Sequence, residues 1–255
     1  MAFVVILGVS SGFGAASARA FARAGFDIAG VHLDRRAGQA QADNLSEEIR
    51  TIGRQAVFFN QNAADDTARA QIIAKIADLA GPGQVRGLLH SLAFGTLARL
   101  VGEKAVTRKQ MEMTLDVMGS SLVYWAQDLV RAGLLGQGGR IWAMTSSGSH
   151  MVWPGYGPVS AAKCVLEATC RQLAVELAPH GITTNAILAG VTDTPALRKI
   201  PGNEALVEKA LARNPMGRLT TPEDVADFLV VLASPAARWV NGNVLRVDGG
   251  EDISG

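Results

Sequence analysis

The sequence predicts an α/β fold: a doubly wound, seven-stranded parallel sheet with helices on both faces, formed as one domain over residues 1–255. Three observations lead there. Short apolar runs alternate with amphipathic stretches along the whole length. The runs are apolar throughout and not alternately polar, as strands covered on both faces must be. The first run is followed at once by Gly8-Val-Ser-Ser-Gly12-Phe-Gly14 and then by a helical segment, the order expected of a turn that cradles phosphate at a helix N-terminus.

The elements follow in order. The run Phe3-Val-Val-Ile-Leu7 within 2–8 has no basic stretch before it and is too short to span a bilayer, so it reads as a buried strand. The glycine turn leads into a helix over 14–24. Strands over 27–33, 55–60 and 85–91 then alternate with helices over 41–53 and 65–80. The second half repeats the pattern, with helices over 107–132, 158–179 and 222–233 among strands over 139–145, 182–188 and 243–247. Pro158 sets one boundary, because proline suits a first helical turn and damages a helix interior. Gly157 is therefore expected as the N-cap, with Tyr156 in the loop before it. The stretch 191–217 carries Pro195, Pro201, Gly202, Pro215 and Gly217 and reads as irregular. Long loops of this kind usually bind ligands, so it is expected to be a substrate cover.

Composition narrows the function classes. A formal net charge of +1 over 255 residues gives no reason to expect nucleic acid or an anionic membrane as partner. No run is long enough for a transmembrane helix. Cys164 and Cys170 lie six positions apart in one expected helix, on different faces, which disfavours a disulfide or a metal pair. Both are expected to be buried, as free cysteines tend to be, and a reducing, cytoplasmic setting is expected.

Two motifs carry chemistry. Glycines at 8, 12 and 14 permit a tight turn and bring the backbone N–H groups of Ser10, Ser11 and Phe13 close to a pyrophosphate, which points to a Rossmann-type dinucleotide site. In the second motif, six residues intervene between Tyr156 and Lys163, in Gly155-Tyr-Gly-Pro-Val-Ser-Ala-Ala-Lys163. An ammonium near a phenol favours the phenolate and lowers the tyrosine pKa, one way to make a proton donor.

With its GxxxGxG spacing, the chain resembles the short-chain dehydrogenase/reductases over essentially all 255 residues. Asn62-Ala63 is similar to that family's adenine contact, and Ser91, Leu92 and Ala93 follow the fourth strand where the cofactor passes. The segment Asn185-Ala-Ile-Leu-Ala-Gly190, with Val191, Thr192 and Thr194, resembles the stretch that touches the nicotinamide carboxamide. The tail Val247-Asp-Gly-Gly250 matches as well. The second strand ends Val31-His-Leu-Asp-Arg-Arg36, where an acid reads the ribose 2′-OH of NAD and arginine accommodates the 2′-phosphate of NADP. The family's acidic position falls on His32 and not Asp34, while Arg35 and Arg36 fall where phosphate binders occur. NADP(H) is therefore favoured and NAD(H) stays open, since Asp34 would repel a phosphate.

In ordinary members of that family the tyrosine stands four residues before the lysine and a serine thirteen before the tyrosine. Here those positions are Val159 and Ser146, so Ser146 and Lys163 keep the usual interval and only Tyr156 has moved. This arrangement resembles the enoyl-acyl-carrier-protein reductases, as does Leu89-His-Ser-Leu-Ala-Phe94. Asp193-Thr-Pro-Ala-Leu197 and Asn214-Pro-Met-Gly-Arg218 resemble the NADPH-using bacterial subgroup. Two features depart: the second tyrosine those enzymes carry is Ser146 here, and the helix-four asparagine of ketoreductases is Met118, which has no amide.

The resemblance implies reduction of the C=C bond of a trans-2-enoyl thioester, on acyl carrier protein or coenzyme A, in fatty acid biosynthesis. Charge then develops on the thioester oxygen, away from the carbon that accepts hydride, so a displaced acid fits. Tyr156 would be the acid, Lys163 its electrostatic partner and ribose ligand, and Ser146 a substrate or cofactor contact, if it is not merely a strand-end cap. Phe94, Met151, Trp153, Leu197, Ile200 and Met216 are expected around the acyl chain. His90 and His150 are expected to be packed or hydrogen-bonded and not catalytic. Apolar excess at Tyr124, Trp125 and Leu166 suggests a homodimer or homotetramer. A short-chain carbonyl reductase or alcohol dehydrogenase, and a nucleotide-sensing regulator without turnover, are the alternatives.

Overall fold

The computed structural model describes residues 2–254. Seven strands, β1 Phe3–Leu7, β2 Asp27–His32, β3 Ala56–Asn60, β4 Val85–His90, β5 Leu135–Thr145, β6 Thr183–Ala189 and β7 Val244–Val247, form one sheet in the order β3-β2-β1-β4-β5-β6-β7. Each neighbouring pair is parallel. The order reverses between β1 and β4, which places a crevice beyond the carboxyl ends of those strands.

Alternation within β1 divides the core. Phe3, Val5 and Leu7 face one layer with Leu122, Trp125 and Leu166, while Val4 and Ile6 face the other with Phe21, Val225 and Leu229. Successive strand side chains point to opposite faces, so one apolar strand feeds both layers. The second layer is built by α1 Gly12–Arg23, α2 Arg36–Thr51 and α8 Pro222–Ala233, and the first by α3 Asp66–Ala80, α5 Ser121–Arg131 and α6 Gly157–Glu176. No helix among the described residues is long and apolar enough to cross a membrane.

Several sequence expectations need correction. The helix expected over 107–132 is α4 Arg108–Leu115, a π-turn Asp116–Ser120 and then α5. Ser121 donates to the Val117 carbonyl at 2.9 Å within this irregular stretch, as hydroxyls competing with the helix ladder do. Tyr156, not Gly157, is the N-cap of α6, with Gly157 its first residue and Pro158 in the first turn. The irregular stretch 191–217 contains a 3₁₀ turn, Leu197–Lys199, and a full helix, α7 Asn203–Arg213. Its sequence, NEALVEKALAR, is rich in helix formers. The glycine at 202, read as a breaker, takes the left-handed conformation at the start of that helix (φ 75°).

Burial also differs. Cys170 is buried but Cys164 is exposed, its thiol donating to the Ser149 carbonyl, because six positions along a helix turn the two to different sides. Trp125 and Leu166 are consumed inside the subunit, with the Trp125 indole N–H bonded to the Ala63 carbonyl at 2.8 Å. Only Tyr124 of that trio is exposed, under the Arg69 guanidinium.

Candidate active site

A cleft of about 770 Å³ runs along the carboxyl ends of the central strands and over the switch point. Gly8 and Gly12 begin it, with φ of 87° and 51°, values that favour glycine. Gly14 does not line the cleft; a Cβ there would collide with the Gly8 carbonyl oxygen, so its part is to let α1 close against the turn. Ser10, Ser11, Gly12 and Phe13 line the cleft, and Ser11 caps α1 without a side-chain bond to the helix. The first-turn N–H groups thus have no side-chain acceptor, as an anion site requires.

Beyond that turn, His32, Asp34, Asn62, Ala63, Ser91, Leu92 and Ala93 line the same cleft. Asp34 is held firmly: His32 Nδ1 lies 3.0 Å from its carboxylate, its N–H donates to Asn60 Oδ1 at 3.0 Å, and Asn60 Nδ2 donates to its carbonyl at 3.0 Å. Arg35 and Arg36 are exposed where α2 begins and lie outside the lining. Gly190, Val191, Thr192 and Thr194 also line the cleft, with Thr194 beside Gly12.

Ser146, Tyr156 and Lys163 line the same cleft. The Tyr156 ring lies across Gly148, where a Cβ would come within 2.9 Å of Cδ1 and collide with Cε1. Lys163 is buried, and Nζ donates to the Met144 carbonyl at 2.7 Å. Burial brings its pKa down to about 8, with the nearby Glu167 carboxylate opposing. Tyr156 departs from the expectation drawn from the sequence. Its pKa is raised, because burial of the phenolate outweighs the favourable influence of the Ser146 hydroxyl. A phenol so placed holds its proton and is a donor. Ser146 Oγ caps no helix and stands beside the Tyr156 hydroxyl, whose ionised form it favours.

Val159 and Met118 sit together in an apolar cluster with Val117 and Ala162, against the edge of Tyr156. The place of the ordinary tyrosine is therefore apolar, as is that of the relay asparagine. His90 is fully buried beside Ser121, Nε2 to Oγ 2.9 Å, and burial with the Lys163 charge lowers its pKa to about 3. It stays neutral and outside the lining. His150 also lies outside, with Nε2 2.8 Å from Asp252.

The family model described as Enoyl-(Acyl carrier protein) reductase matches residues 8–251. The chain belongs to this family, within the short-chain dehydrogenase/reductases. A curated relative, the NADH-dependent enoyl-[acyl-carrier-protein] reductase of Aquifex aeolicus, is 34% identical over 174 residues, covering 68% of this chain and 64% of that protein, just under two thirds of its length. The L-rhamnose 1-dehydrogenase (NAD(P)(+)) of Azotobacter vinelandii is 30% identical over 97% of this chain and 95% of its own. The crystal structure of the Aquifex aeolicus enoyl reductase superposes with a TM-score of 0.88 at 26% identity, covering 100% of this chain and 97% of that one.

This short-chain NAD(P)-dependent oxidoreductase has an apolar extension of its cleft. Phe94, Met151, Trp153, Leu197 and Ile200 line it. Met216 does not: it is 70% exposed and lies beside Gly249. Sequence reading missed Lys199, Leu206, Lys209, Ala210, Arg213 and Glu251, all in the lining. For Leu206, Ala210 and Arg213 a signal exists, since spacing of i, i+4 and i+7 marks one helix face. Nothing local marks Glu251.

One prediction follows from Lys163. Its ammonium is lost at lower pH than an ordinary lysine's, so kcat/KM should fall as pH rises through about 8. From there to the ordinary value of 10.5 the folded chain binds fewer protons than the unfolded one, and folding stability should rise with pH while activity falls. A pH–rate profile beside a denaturation series checks both signs; Lys163→Arg should remove the alkaline limb.

Proposed function

We propose that this oxidoreductase reduces the C=C bond of a trans-2-enoyl thioester. The observation that carries the reading is the displacement of the acid: Tyr156 caps α6, while Val159 fills the ordinary tyrosine position inside an apolar cluster. The turn at Gly8–Gly14, Asp34 and the wall 190–194 would hold a nicotinamide dinucleotide, and the Ser146 hydroxyl, in the lining beside Tyr156, suits a polar ligand group. When bound in its reduced form, the nicotinamide supplies hydride. The chain's own groups would do the rest. Tyr156, protonated by virtue of its burial, gives its proton where enolate charge develops on the thioester oxygen. Lys163, fixed by the Met144 carbonyl, holds positive charge beneath the site. The wall formed by Met151, Trp153, Leu197 and Ile200 suits an acyl chain and excludes water. The segment 191–217 would act as the cover.

Oxidation of reduced cofactor with crotonyl and acetoacetyl thioesters, side by side, tests this. Consumption with the crotonyl compound is expected. Consumption with the ketone alone would select carbonyl reduction, a reading favoured by the rhamnose dehydrogenase likeness over 97% of the chain.

Asp34 bears on the cofactor. The preference for NADP(H) drawn from the sequence rests on Arg35 and Arg36, which stand outside the lining, whereas the Asp34 carboxylate stands inside it. That placement supports NAD(H), through an acceptor for ribose hydroxyls and repulsion of a 2′-phosphate. Asp34→Asn should raise the NADPH-to-NADH ratio of kcat/KM by about tenfold, the scale of one close charge interaction near a surface. An unchanged ratio would remove Asp34 from the choice.

A further inference from the structure

The C-terminal turn around Asp248 and Glu251 touches three separate walls of the cleft. Glu251 is 7% exposed, lines the cleft, and accepts the Val191 N–H with both oxygens, at 3.0 and 3.3 Å. It lies directly against that backbone: a Cβ on Gly190 would come within 2.8 Å of Glu251 Oε2. Arg213, the last residue of α7, donates to the Glu251 carbonyl at 2.9 Å and to the Ser254 carbonyl at 3.2 Å. Asn214 donates to the Asp248 carbonyl at 2.9 Å. Asp252 accepts from His150, which lies in the loop between Ser146 and Tyr156, and from Arg246, each at 2.8 Å. Asp248 holds the turn in shape, accepting the N–H groups of Gly250 at 3.0 Å and Asp252 at 2.9 Å.

A buried carboxylate is costly unless it is bonded, and here both oxygens meet the Val191 N–H of a lining segment, with the Asn214 side chain as a further partner. Burial raises the Glu251 pKa, the Val191 N–H and the Asn214 side chain oppose this, and the charges facing it are Asp248 from its own turn and Arg213 from α7. The side chain is held against one backbone segment while its own main chain is clamped from the cover helix. We infer that Glu251 is a positioning residue, fixing the backbone around Val191 and thereby the grip on the nicotinamide half of the cofactor, without acting on the adenosine half. This rests on the reading of 190–194 as the nicotinamide end of the cleft. His32, Asp34 and Asn62, at the other end, are not in contact with the turn through any of these bonds.

The experiment is a binding comparison in which NADH and ADP-ribose, which lacks the nicotinamide, are titrated against the wild type, E251A, E251D and E251Q. In E251A, and in E251D, whose carboxylate is withdrawn by one methylene, NADH affinity should fall about tenfold while ADP-ribose affinity stays within about twofold, the scale of one lost charge-assisted hydrogen bond. E251Q keeps an oxygen for the Val191 N–H and should recover most of the loss. If E251A does not fold, E251D carries the comparison. Equal losses for both ligands, an unaltered NADH affinity, or an E251Q as weak as E251D would overturn the inference. A wild type that binds ADP-ribose and NADH equally well would instead overturn the reading of the 190–194 wall, and the inference with it.

Discussion

Tyr156→Phe should lower turnover of the enoyl thioester by about 10²- to 10⁴-fold, the usual contribution of a positioned general acid, and leave cofactor affinity nearly unchanged. The substitution is narrow. Phenylalanine keeps the ring that lies across Gly148 and loses only the hydroxyl, whose proton burial retains. Lys163 keeps its bond to the Met144 carbonyl, and the Ser146 hydroxyl keeps its place. Single-turnover rates with a saturating reduced cofactor, beside a direct binding titration, separate the two effects. Full activity in the variant would show that another group supplies the proton. Neither histidine is a ready substitute, since His90 is buried and neutral and His150 stands outside the lining with Asp252.

Gly148→Ala should lower kcat by about 10- to 100-fold, because misplacement of a catalytic group by an ångström can cost up to about 10²-fold. The added methyl carbon would collide with Cε1 of Tyr156, with Cδ1 at 2.9 Å and Ser146 Oγ at 3.2 Å. Something must move, and the two nearest groups are the ring of Tyr156, the proposed acid, and the Ser146 hydroxyl. The backbone itself gives no reason for strain, since Gly148 is not among the glycines with positive φ. Thermal stability should therefore stay near that of the wild type while turnover falls, and cofactor affinity should hold. An active variant with a melting temperature near wild type would mean that the ring position tolerates the shift. Loss of stability and activity together would point to collapse of the 146–156 loop and not to displacement of the acid.

These effects arise from contacts of different range, and that difference decides what was legible beforehand. The strands were readable because burial on both faces demands uninterrupted apolar runs, a requirement written residue by residue. The glycine turn was readable because its glycines answer to backbone geometry. The spacing of Tyr156, Val159 and Lys163 was readable because it is a matter of counting. Helix α7 was missed because Pro195, Pro201 and Gly202 drew attention from the face shared by Leu206, Ala210 and Arg213. The direction of the Tyr156 shift was misread because proximity to a lysine was weighed without the burial that outweighs it.

By itself the sequence determined the alternation of strands and helices, the glycine turn after the first strand and the spacing of Tyr156, Val159 and Lys163, while the order of the strands in the sheet was read from the structure. The first three follow from local periodicity, turn chemistry and counting along the chain; that the tyrosine is displaced is what the resemblance to short-chain dehydrogenase/reductases implies. Only the tertiary structure decided which side chains share the cleft. It admitted Asp34 but left out Arg35, Arg36 and Met216, brought Glu251 under Val191, and laid Tyr156 across Gly148. Those outcomes depend on which loops meet beyond the ends of parallel strands and on how much water is excluded there. Desolvation and steric closeness between residues distant in sequence have no counterpart in the pattern of any one segment.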